Sequence, residues 1–341
     1  MNETHMEALR QYETEVLSVR KGRGAWICET RQGLRLLREY KGTVKRLEFE
    51  DQVLSALDTR TSLRTDPYVR NREGSLLTTT GDGTSYVLKE WFADRECSLR
   101  DSYEVRQAVS RLAILHSQLR RIPKRQEWTL GSICREPMDQ EIRRHNRELL
   151  RTVRFIRERR GKTDFELSVL SAFRRFFEQA QEAADMMEEL MAAEGDLAVA
   201  ELTGSCDFFG GQLCHGDLDQ HHLLMGPGYT AIVDYNRMHL GIQTFDLYRI
   251  MRKTLEKHGW NGDLGISILD SYQRVLPMDR QEKQSLYTLF LYPEKYWKQL
   301  NFYYNTNKAR VPDRNTGKLK SLESQEPARQ QFLKRLKAYC Q

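Results

Sequence analysis

The sequence has no long apolar run and little proline. Across 341 residues, no stretch approaches the roughly 18 consecutive apolar residues of a membrane-spanning helix, so no membrane span is expected. The opening residues, MNETHMEALRQYETE, lack the basic segment and following apolar segment of a secretory signal. Only 8 prolines and 21 glycines are present, which excludes collagen-like and low-complexity classes.

Closely spaced cysteines are also missing. The six cysteines form no C-x-x-C pair, which argues against a zinc knuckle and against a thioredoxin-type motif. We therefore expect reduced, mostly buried thiols in a cytosolic protein. The cysteines are Cys28, Cys97, Cys134, Cys206, Cys214 and Cys340.

The chain does contain core material and charge of both signs. Its 13 Phe, 15 Tyr and 5 Trp, within 39% hydrophobic residues, exclude disorder of the whole chain. The 54 basic and 48 acidic residues leave a net charge of +6, which permits an anionic partner without requiring one. The length of 341 residues predicts two domains or one large bilobed unit.

Residues 1–92 have the pattern of a small antiparallel sheet lobe with one packed helix. Short β-prone runs separated by glycine turns predict the strands, and apolar residues at helical spacing predict a helix over 43–58. The predicted strands and hairpin are 16–19, 25–30, 34–40 and 76–92.

The turn Lys21-Gly22-Arg23-Gly24 is compatible with two structures. It could be a phosphate-covering loop between two strands, or a plain hairpin turn. A plain hairpin needs the same glycines, so the pattern favours the hairpin.

From residue 93 to residue 341 the pattern is mainly helical, which predicts a larger C-terminal lobe. The helix predicted at 139–160 is rich in arginine and could grip phosphates. Interspersed Glu141, Glu148 and Glu158 favour a solvated face, so no nucleic-acid partner is expected. The other helices predicted in this part are 102–119, 165–194 and 245–257.

A short island of strands interrupts these helices and contains the residues best suited to catalysis. His215-Gly216-Asp217 opens a loop, and Asp234 follows Asp217 by 17 residues, at the end of the predicted strand 231–235. Two carboxylates from neighbouring hairpin strands can point into one pocket. Phosphoryl transfer needs one carboxylate to orient or deprotonate the acceptor and another to hold Mg²⁺.

These residues resemble a known superfamily. The pattern HGDLDQHHLL…IVDY…FDL is similar to the signature of aminoglycoside phosphotransferase and choline kinase-like enzymes. The segments EWFADREC and YPEKYW resemble the CotS type of bacterial spore coat protein, and this resemblance extends over nearly the whole chain. It implies an α+β, bilobal protein kinase-like (aminoglycoside phosphotransferase-like) fold, with lobes at 1–92 and 93–341.

The resemblance also implies roles for individual residues. Asp217 takes the position of the catalytic base, and Asp234 the position of the Mg²⁺-binding aspartate. His215 and Asp246 would brace the catalytic loop. The backbone groups of the hinge pair, Glu90-Trp91, would meet the adenine of ATP.

Two positions depart from the family pattern. His222 replaces the asparagine that binds the second metal ion, although imidazole prefers transition metals to Mg²⁺. Arg38 replaces the lysine that holds the α- and β-phosphates, and an arginine lacks the compact geometry of lysine. Its helix partner would be Glu48 or Glu50.

The expected function is therefore that of a CotS-type spore coat protein with a kinase-like site, working or degenerate, for ATP and Mg²⁺. Its partners would be nucleotide and other coat proteins, after synthesis in the cytoplasm and transfer to the spore coat. The alternative is an active ATP-dependent small-molecule phosphotransferase that uses Asp217 as base and Asp234 as metal ligand. A nucleic-acid binder built on the helix 139–160 is a third hypothesis.

Overall fold

The computed structural model describes residues 3–59, 61–93, 95–125, 127–128, 131–192, 211–304 and 313–341. They form two compact units, Met1–Cys134 with His215–His239, and Arg135–Cys214 with Leu240–Gln341. The predicted lobe boundary after residue 92 stays a prediction. Cys206 and the last two residues of the predicted helix 165–194 lie outside the described residues.

The first unit contains the predicted sheet and helices, with boundaries close to those expected from the sequence. Its helices are α1 (Glu3–Arg10), α2 (Val44–Ser55) and α3 (Ser102–Leu119). Its strands in the first hundred residues are β1 (Val16–Gly22), β2 (Ala25–Thr30), β3 (Gly33–Glu39), β4 (Leu63–Arg64), β5 (Tyr68–Val69), β6 (Thr78–Thr79), β7 (Ser85–Glu90) and β8 (Arg95–Glu96). The sequence prediction missed α1 and the short strands β4, β5 and β8, because so few residues leave no measurable periodicity.

The main sheet is antiparallel, in the order β1-β2-β3-β7-β5, with β6 also paired to β7. Helix α1 packs on one end of it, where Ala8, Leu9 and Tyr12 are buried in a cluster with Leu37 and Leu88. Helix α2 begins at Thr43, whose side chain accepts a hydrogen bond from the backbone N–H of Arg46. Burial of apolar residues therefore holds α1 against one face of the sheet. The Thr43 cap fixes the residue at which α2 begins.

The β1–β2 connection is the plain hairpin that the sequence favoured. Gly22 pairs with Ala25, so the loop has two residues, Arg23 at φ +54° and Gly24 at φ +67°. Two consecutive left-handed residues are typical of a type I′ turn, whose twist matches that of the flanking strands.

A second sheet is built around the island. Its hairpin is β10 (Leu223–Gly226) and β11 (Tyr229–Ile232), with Leu223 opposite Ile232. Strand β8 pairs with β10, and β4 pairs in parallel with β11. Asp234 therefore lies two residues beyond the end of its strand, not within it as predicted.

The second unit is mainly helical. A two-stranded sheet joins β9 (Gln212–Cys214) to β12 (His239–Gly241). The described helices of this unit are α4 (Met138–Glu158), α5 (Asp164–Ala192), α6 (Thr244–Lys257), α7 (Gly262–Gln273), α8 (Arg280–Leu291), α9 (Glu294–Tyr304) and α10 (Asp313–Cys340). On α4, Arg143 pairs with Asp185 and Glu188 of α5, and Arg144 pairs with Glu148. These arginines thus have carboxylate partners, as expected for a helix with charges of both signs.

In the described part of the chain, no helix combines the length and the apolar character needed to span a bilayer. Among the described cysteines, Cys28, Cys97, Cys214 and Cys340 are buried and Cys134 is exposed, and all five are free thiols. Burial raises the pKa of Cys28 to about 11, which makes it a poor nucleophile.

Candidate active site

The loop of the His-Gly-Asp motif is held by its histidine and shaped by its glycine. His215 is fully buried, its Nε2 donates to the carbonyl oxygen of Val233 at 3.1 Å, and its Nδ1 accepts from the N–H of Asp217 at 3.4 Å. Gly216 has φ +83°, and a Cβ there would lie 2.2 Å from the carbonyl oxygen of Arg237. Only glycine fits this position, so the backbone conformation itself requires the glycine of this motif.

The half-buried Asp217 follows this turn, and His222 lies close to the same histidine. The rings of His215 and His222 have centroids 5.4 Å apart. His222 ends a short 3₁₀ turn, Gln220–His222, and its Nδ1 lies 3.1 Å from Asp219 Oδ1. A neighbouring carboxylate therefore lies beside its ring.

Asp234 is held in an unusual backbone conformation. Its φ is +71°, a left-handed value that non-glycine residues adopt rarely. The preceding Val233 N–H donates to the carbonyl oxygen of His222 at 3.0 Å, and the N–H of Asp234 donates to Asp66 Oδ2 at 3.1 Å. The strand thus ends in a fixed turn that directs the Asp234 carboxylate away from the ladder.

The Asp234 carboxylate faces positive charge. Arg38 Nη1 lies 2.7 Å from Asp234 Oδ1, with the two side chains 25% and 19% exposed. Burial opposes ionisation of Asp234, but Arg38, Lys89 and His222 outweigh it and hold the pKa of Asp234 below its usual value. Asp234 is therefore a carboxylate at neutral pH.

The predicted pairing of Arg38 with a glutamate of α2 is wrong. Glu48 is exposed, and the buried Glu50 pairs with Arg46 of its own helix at 2.6 Å. The hydroxyl of Tyr68 donates to the other oxygen of Glu50. Arg46 lies one helical turn before Glu50, which is the spacing at which helical side chains pair. Arg38 pairs with Asp234 instead.

The Arg46–Glu50 pair also fixes the segment that follows Asp234. Arg46 Nη2 donates to the carbonyl oxygens of Tyr235 at 3.4 Å and Asn236 at 3.2 Å. Glu50 thus orients a guanidinium that anchors the backbone after Asp234.

A buried lysine that the sequence analysis did not single out lies in the same network. Lys89 Nζ is 2.7 Å from Asp66 Oδ2, and its side chain is 5% exposed. The resemblance places the phosphate-binding lysine on the third strand, whereas Lys89 lies on β7, opposite Leu36 of β3. A lysine inside the buried run Tyr86–Lys89 is the signal that could have found it.

Glu90 ends β7 and Trp91 follows it, and the N–H groups of both residues are already used. They donate to the carbonyl oxygens of Pro67 and Leu34, which leaves neither N–H for an adenine ring. The Glu90 side chain is exposed, whereas the Trp91 ring is buried. The apolar cluster that contains it consists of Ala25, Ile27, Leu36, Trp91, Leu224, Ala231 and Val233.

Arg23, at the tip of the β1–β2 turn, bridges this turn to the island. Its Nη1 donates to the carbonyl oxygen of His221 and its Nη2 to Glu96 Oε1, each at 2.7 Å. The guanidinium also lies 5.8 Å from the centre of the Trp91 ring. His221 Nδ1 lies 2.7 Å from the other oxygen of Glu96, so three side chains form one bridge.

Asp246, predicted to brace the loop, lies in the first turn of α6 in the second unit and is fully buried. Its bracing role stays a prediction.

No protein-family model matches the chain, and no curated protein sequence matches it. Solved structures do. An aminoglycoside phosphotransferase from Alicyclobacillus acidocaldarius superimposes with a TM-score of 0.81 at 16% identity, over 98% of this chain and 96% of that chain. The chain has the aminoglycoside phosphotransferase-like fold.

Two further structures with this fold are kinases of small molecules. A microcompartment-associated aminopropanol kinase gives a TM-score of 0.58 at 14% identity, over 95% of this chain and 94% of that chain. Amicoumacin kinase, solved with AMP-PNP and Ca²⁺, gives 0.55 at 11% identity, over 97% and 93%. The predicted α+β fold class, with a small antiparallel sheet and a larger helical part, is confirmed.

The residues at this site fit a divalent cation only in part. The Asp234 carboxylate is the hard oxygen ligand that Mg²⁺ prefers, although one of its oxygens is bonded to Arg38. His222 offers nitrogen, which suits Mg²⁺ poorly. Among the described residues, no group of three or more His, Cys, Asp and Glu side chains is gathered as a complete metal site. Substrate phosphates usually supply further Mg²⁺ ligands in kinases, which is consistent with a single protein carboxylate.

Proposed function

We propose that the protein is a kinase-like phosphotransferase that binds a nucleoside triphosphate with Mg²⁺ and transfers the γ-phosphoryl group to a small hydroxyl- or amine-bearing acceptor. The observation that supports this best is the set of contacts that hold Asp234 and the two residues after it. A strained left-handed turn, two buried ion pairs and Arg38 all converge on one carboxylate and the two residues after it. A purely structural hairpin needs no such set of charges around one carboxylate.

In the proposed reaction Asp217 orients the acceptor hydroxyl and takes its proton. The acceptor oxygen forms its bond to the γ-phosphorus while the bond from that phosphorus to the bridging oxygen of the nucleoside diphosphate breaks. Asp234 would hold the Mg²⁺ ion, which neutralises charge on the phosphates. Arg38 would add a second positive charge at the same place.

The acceptor class rests on the structural neighbours. An aminopropanol kinase and an amicoumacin kinase share the fold, and a further neighbour was solved with GDP and kanamycin. These neighbours support a small polyfunctional acceptor rather than a protein. They also support ATP or GTP as the phosphoryl donor.

The test is phosphoryl transfer by the purified full chain with ATP or GTP, Mg²⁺ and a panel of amino alcohols and aminoglycosides. Asp217→Asn preserves size and should lower the transfer rate by roughly 100-fold or more, because a general base is lost. Gln220→Glu, a change on the neighbouring 3₁₀ turn, serves as a charge control for the loop. Unchanged transfer in Asp217→Asn would remove this base assignment.

A second candidate is a spore coat component of the CotS type that keeps the fold and a nucleotide site without turnover. It is favoured by Arg38 in place of a lysine, by His222 in place of an asparagine, and by the Glu90 and Trp91 N–H groups, which already donate to Pro67 and Leu34. Its partners would be other coat proteins, and its location the spore coat after cytoplasmic synthesis. Western blots of sporulating and vegetative cells, with fractionation of the spore shell, test this role. Equal abundance in growing cells and absence from the shell would exclude it.

A further inference from the structure

Asp66 and Lys89 form a buried ion pair that the proposed reaction does not itself require. Their side chains are 1% and 5% exposed, and Nζ lies 2.7 Å from Oδ2. Burial raises the pKa of Asp66, and Lys89 opposes that shift. Apolar residues often replace such a pair without loss of stability, so stability alone is a weak reason for it.

The geometry of Asp66 connects it to one backbone group. The oxygen that meets Lys89 also accepts the hydrogen bond from the Asp234 N–H, at 3.1 Å. The second oxygen of Asp66 is buried and has no hydrogen-bond partner among the residues that the structure describes. The carboxylate therefore binds both Lys89 and the Asp234 N–H through the same oxygen, Oδ2.

Both members of the pair are fixed by their own surroundings. Asp66 precedes Pro67, which restricts it to extended conformations. Lys89 lies on β7 between Leu36 of β3 and Tyr68 of β5, with its ammonium group 4.6 Å from the centre of the Tyr68 ring. The acceptor for the Asp234 N–H is thus rigidly placed.

Asp234 needs such an acceptor because its backbone is strained. A left-handed φ of +71° is unfavourable for aspartate and persists only where neighbouring groups enforce it. We propose that Asp66, held by Lys89, is a positioning residue that enforces this conformation and thereby aims the Asp234 carboxylate at the metal–nucleotide site. This inference rests on the proposed function for its purpose, while its structural part stands independently.

The experiment compares two double variants of the full chain. Asp66→Ala/Lys89→Met removes both charges together, so no unpaired charge stays buried, and it removes the acceptor. Asp66→Asn/Lys89→Met also removes both charges but keeps an oxygen that can accept from Asp234. Any difference between the two variants therefore reports on the acceptor and not on the charges.

The first readout needs no ligand. Hydrogen–deuterium exchange of the Asp234 amide should be about tenfold faster in Asp66→Ala/Lys89→Met, relative to wild type, and close to wild type in Asp66→Asn/Lys89→Met. The second readout is Mn²⁺ affinity in the presence of ATP, followed by electron paramagnetic resonance. It should weaken about tenfold in the first variant and recover in the second.

The matched control is the buried pair of the second unit, Glu326 with Arg329, at 3.1 Å and 4% and 6% exposure. Glu326→Ala/Arg329→Met should lower stability and leave Asp234 exchange and Mn²⁺ affinity at wild-type values. If Asp66→Ala/Lys89→Met does not fold, Asp66→Ser/Lys89→Met replaces it, since the shorter hydroxyl withdraws the acceptor and again no unpaired charge stays buried, and the same exchange increase is expected.

The outcomes separate the two claims. Wild-type exchange at Asp234 in the variant without an acceptor overturns the positioning role, even if metal and nucleotide bind. Faster exchange in a protein whose wild type binds no Mn²⁺–ATP supports the positioning of the backbone and removes the proposed function. Faster exchange with unchanged Mn²⁺ affinity overturns the claim that the conformation aims the carboxylate.

Discussion

In the first compact unit the buried ion pairs converge on one stretch of backbone, whereas in the second they fasten helices to each other. Around Asp234, the carboxylate of Asp66 binds the N–H, and Arg46 binds the next two carbonyl oxygens. In the second unit, Arg329 of α10 donates to the carbonyl oxygens of Phe290 and Leu291 at the end of α8.

The difference shows what each set of charges contributes. Helix ends leave carbonyl groups without partners, and Arg329 satisfies two of them while Glu326 balances its charge. The Asp234 segment is no helix end, and its buried charges hold a conformation that the chain would not adopt unaided. Changes in the second unit should therefore alter stability, and changes in the first should alter ligand binding.

The largest effect is expected for Arg329→Met. It leaves Glu326 buried without its partner and two α8 carbonyls uncapped, so the free energy of unfolding should fall by about 3–5 kcal/mol. Urea denaturation followed by tryptophan fluorescence measures this. A loss below about 1 kcal/mol would mean that this pair does not fasten the helices.

Asp234→Asn should have the next largest effect, on binding. Asparagine tolerates the left-handed conformation but removes the charge, so Mn²⁺ affinity in the presence of ATP should fall about 100-fold, or about 2.7 kcal/mol. Because the Arg38–Asp234 pair is partly exposed, the free energy of unfolding should change by less than about 1 kcal/mol. A large loss of stability with unchanged Mn²⁺ affinity would reverse the comparison.

A titration in the second unit gives a third prediction. His145 stacks on Trp297 with ring centroids 3.5 Å apart, and burial, with Arg144 and Lys298 nearby, lowers its pKa to about 3. The unfolded chain binds this proton near pH 6.5 and the folded protein does not, so stability falls as the pH drops below 6.5. The loss from pH 6.5 to 5 should be about 2 kcal/mol.

His145→Phe keeps an aromatic ring on Trp297 and cannot titrate. Its stability should therefore be nearly flat between pH 6.5 and 5, measured by urea denaturation at each pH. An equally steep profile in both proteins would show that another group causes the dependence.

The smallest effect is expected at Arg38. Arg38→Met should weaken ATP binding in the absence of metal about tenfold, by removing one cation from the phosphate site, with isothermal calorimetry as the measurement. Arg35→Met is the control, because Arg35 lies three residues earlier on β3 and so on the opposite face of the strand. Equal losses in both variants would indicate a general effect of charge.

Much of the fold could be predicted from the sequence. The β1–β2 hairpin, α2, α3 and α6 follow from glycine turns and strong periodicity, and the structure confirms them within a few residues. The end of β11 was misplaced, because Val233 and Asp234 continue a strand-like pattern while hydrogen bonds from elsewhere turn the backbone at Asp234.

The site was predictable where one motif contains it and not where distant residues build it. His215, Gly216 and Asp217 are recognisable from their order alone. The pairings of Arg38, Glu50 and Lys89 depend on which side chains the sheet register places together, and the sequence fixes no such distances. Lys89 was overlooked for this reason.

The bridge made by Arg23 affects how tightly the protein could bind a ligand beneath the tip of the β1–β2 hairpin. A molecule that lifts this tip must first break two charge-assisted hydrogen bonds, to His221 and to Glu96, and remove a cation from the face of Trp91. Its measured dissociation constant is then the intrinsic one divided by the small fraction of chains in which the tip is already free. A change that removes the Arg23 bridge would therefore lower the measured dissociation constant of such a molecule.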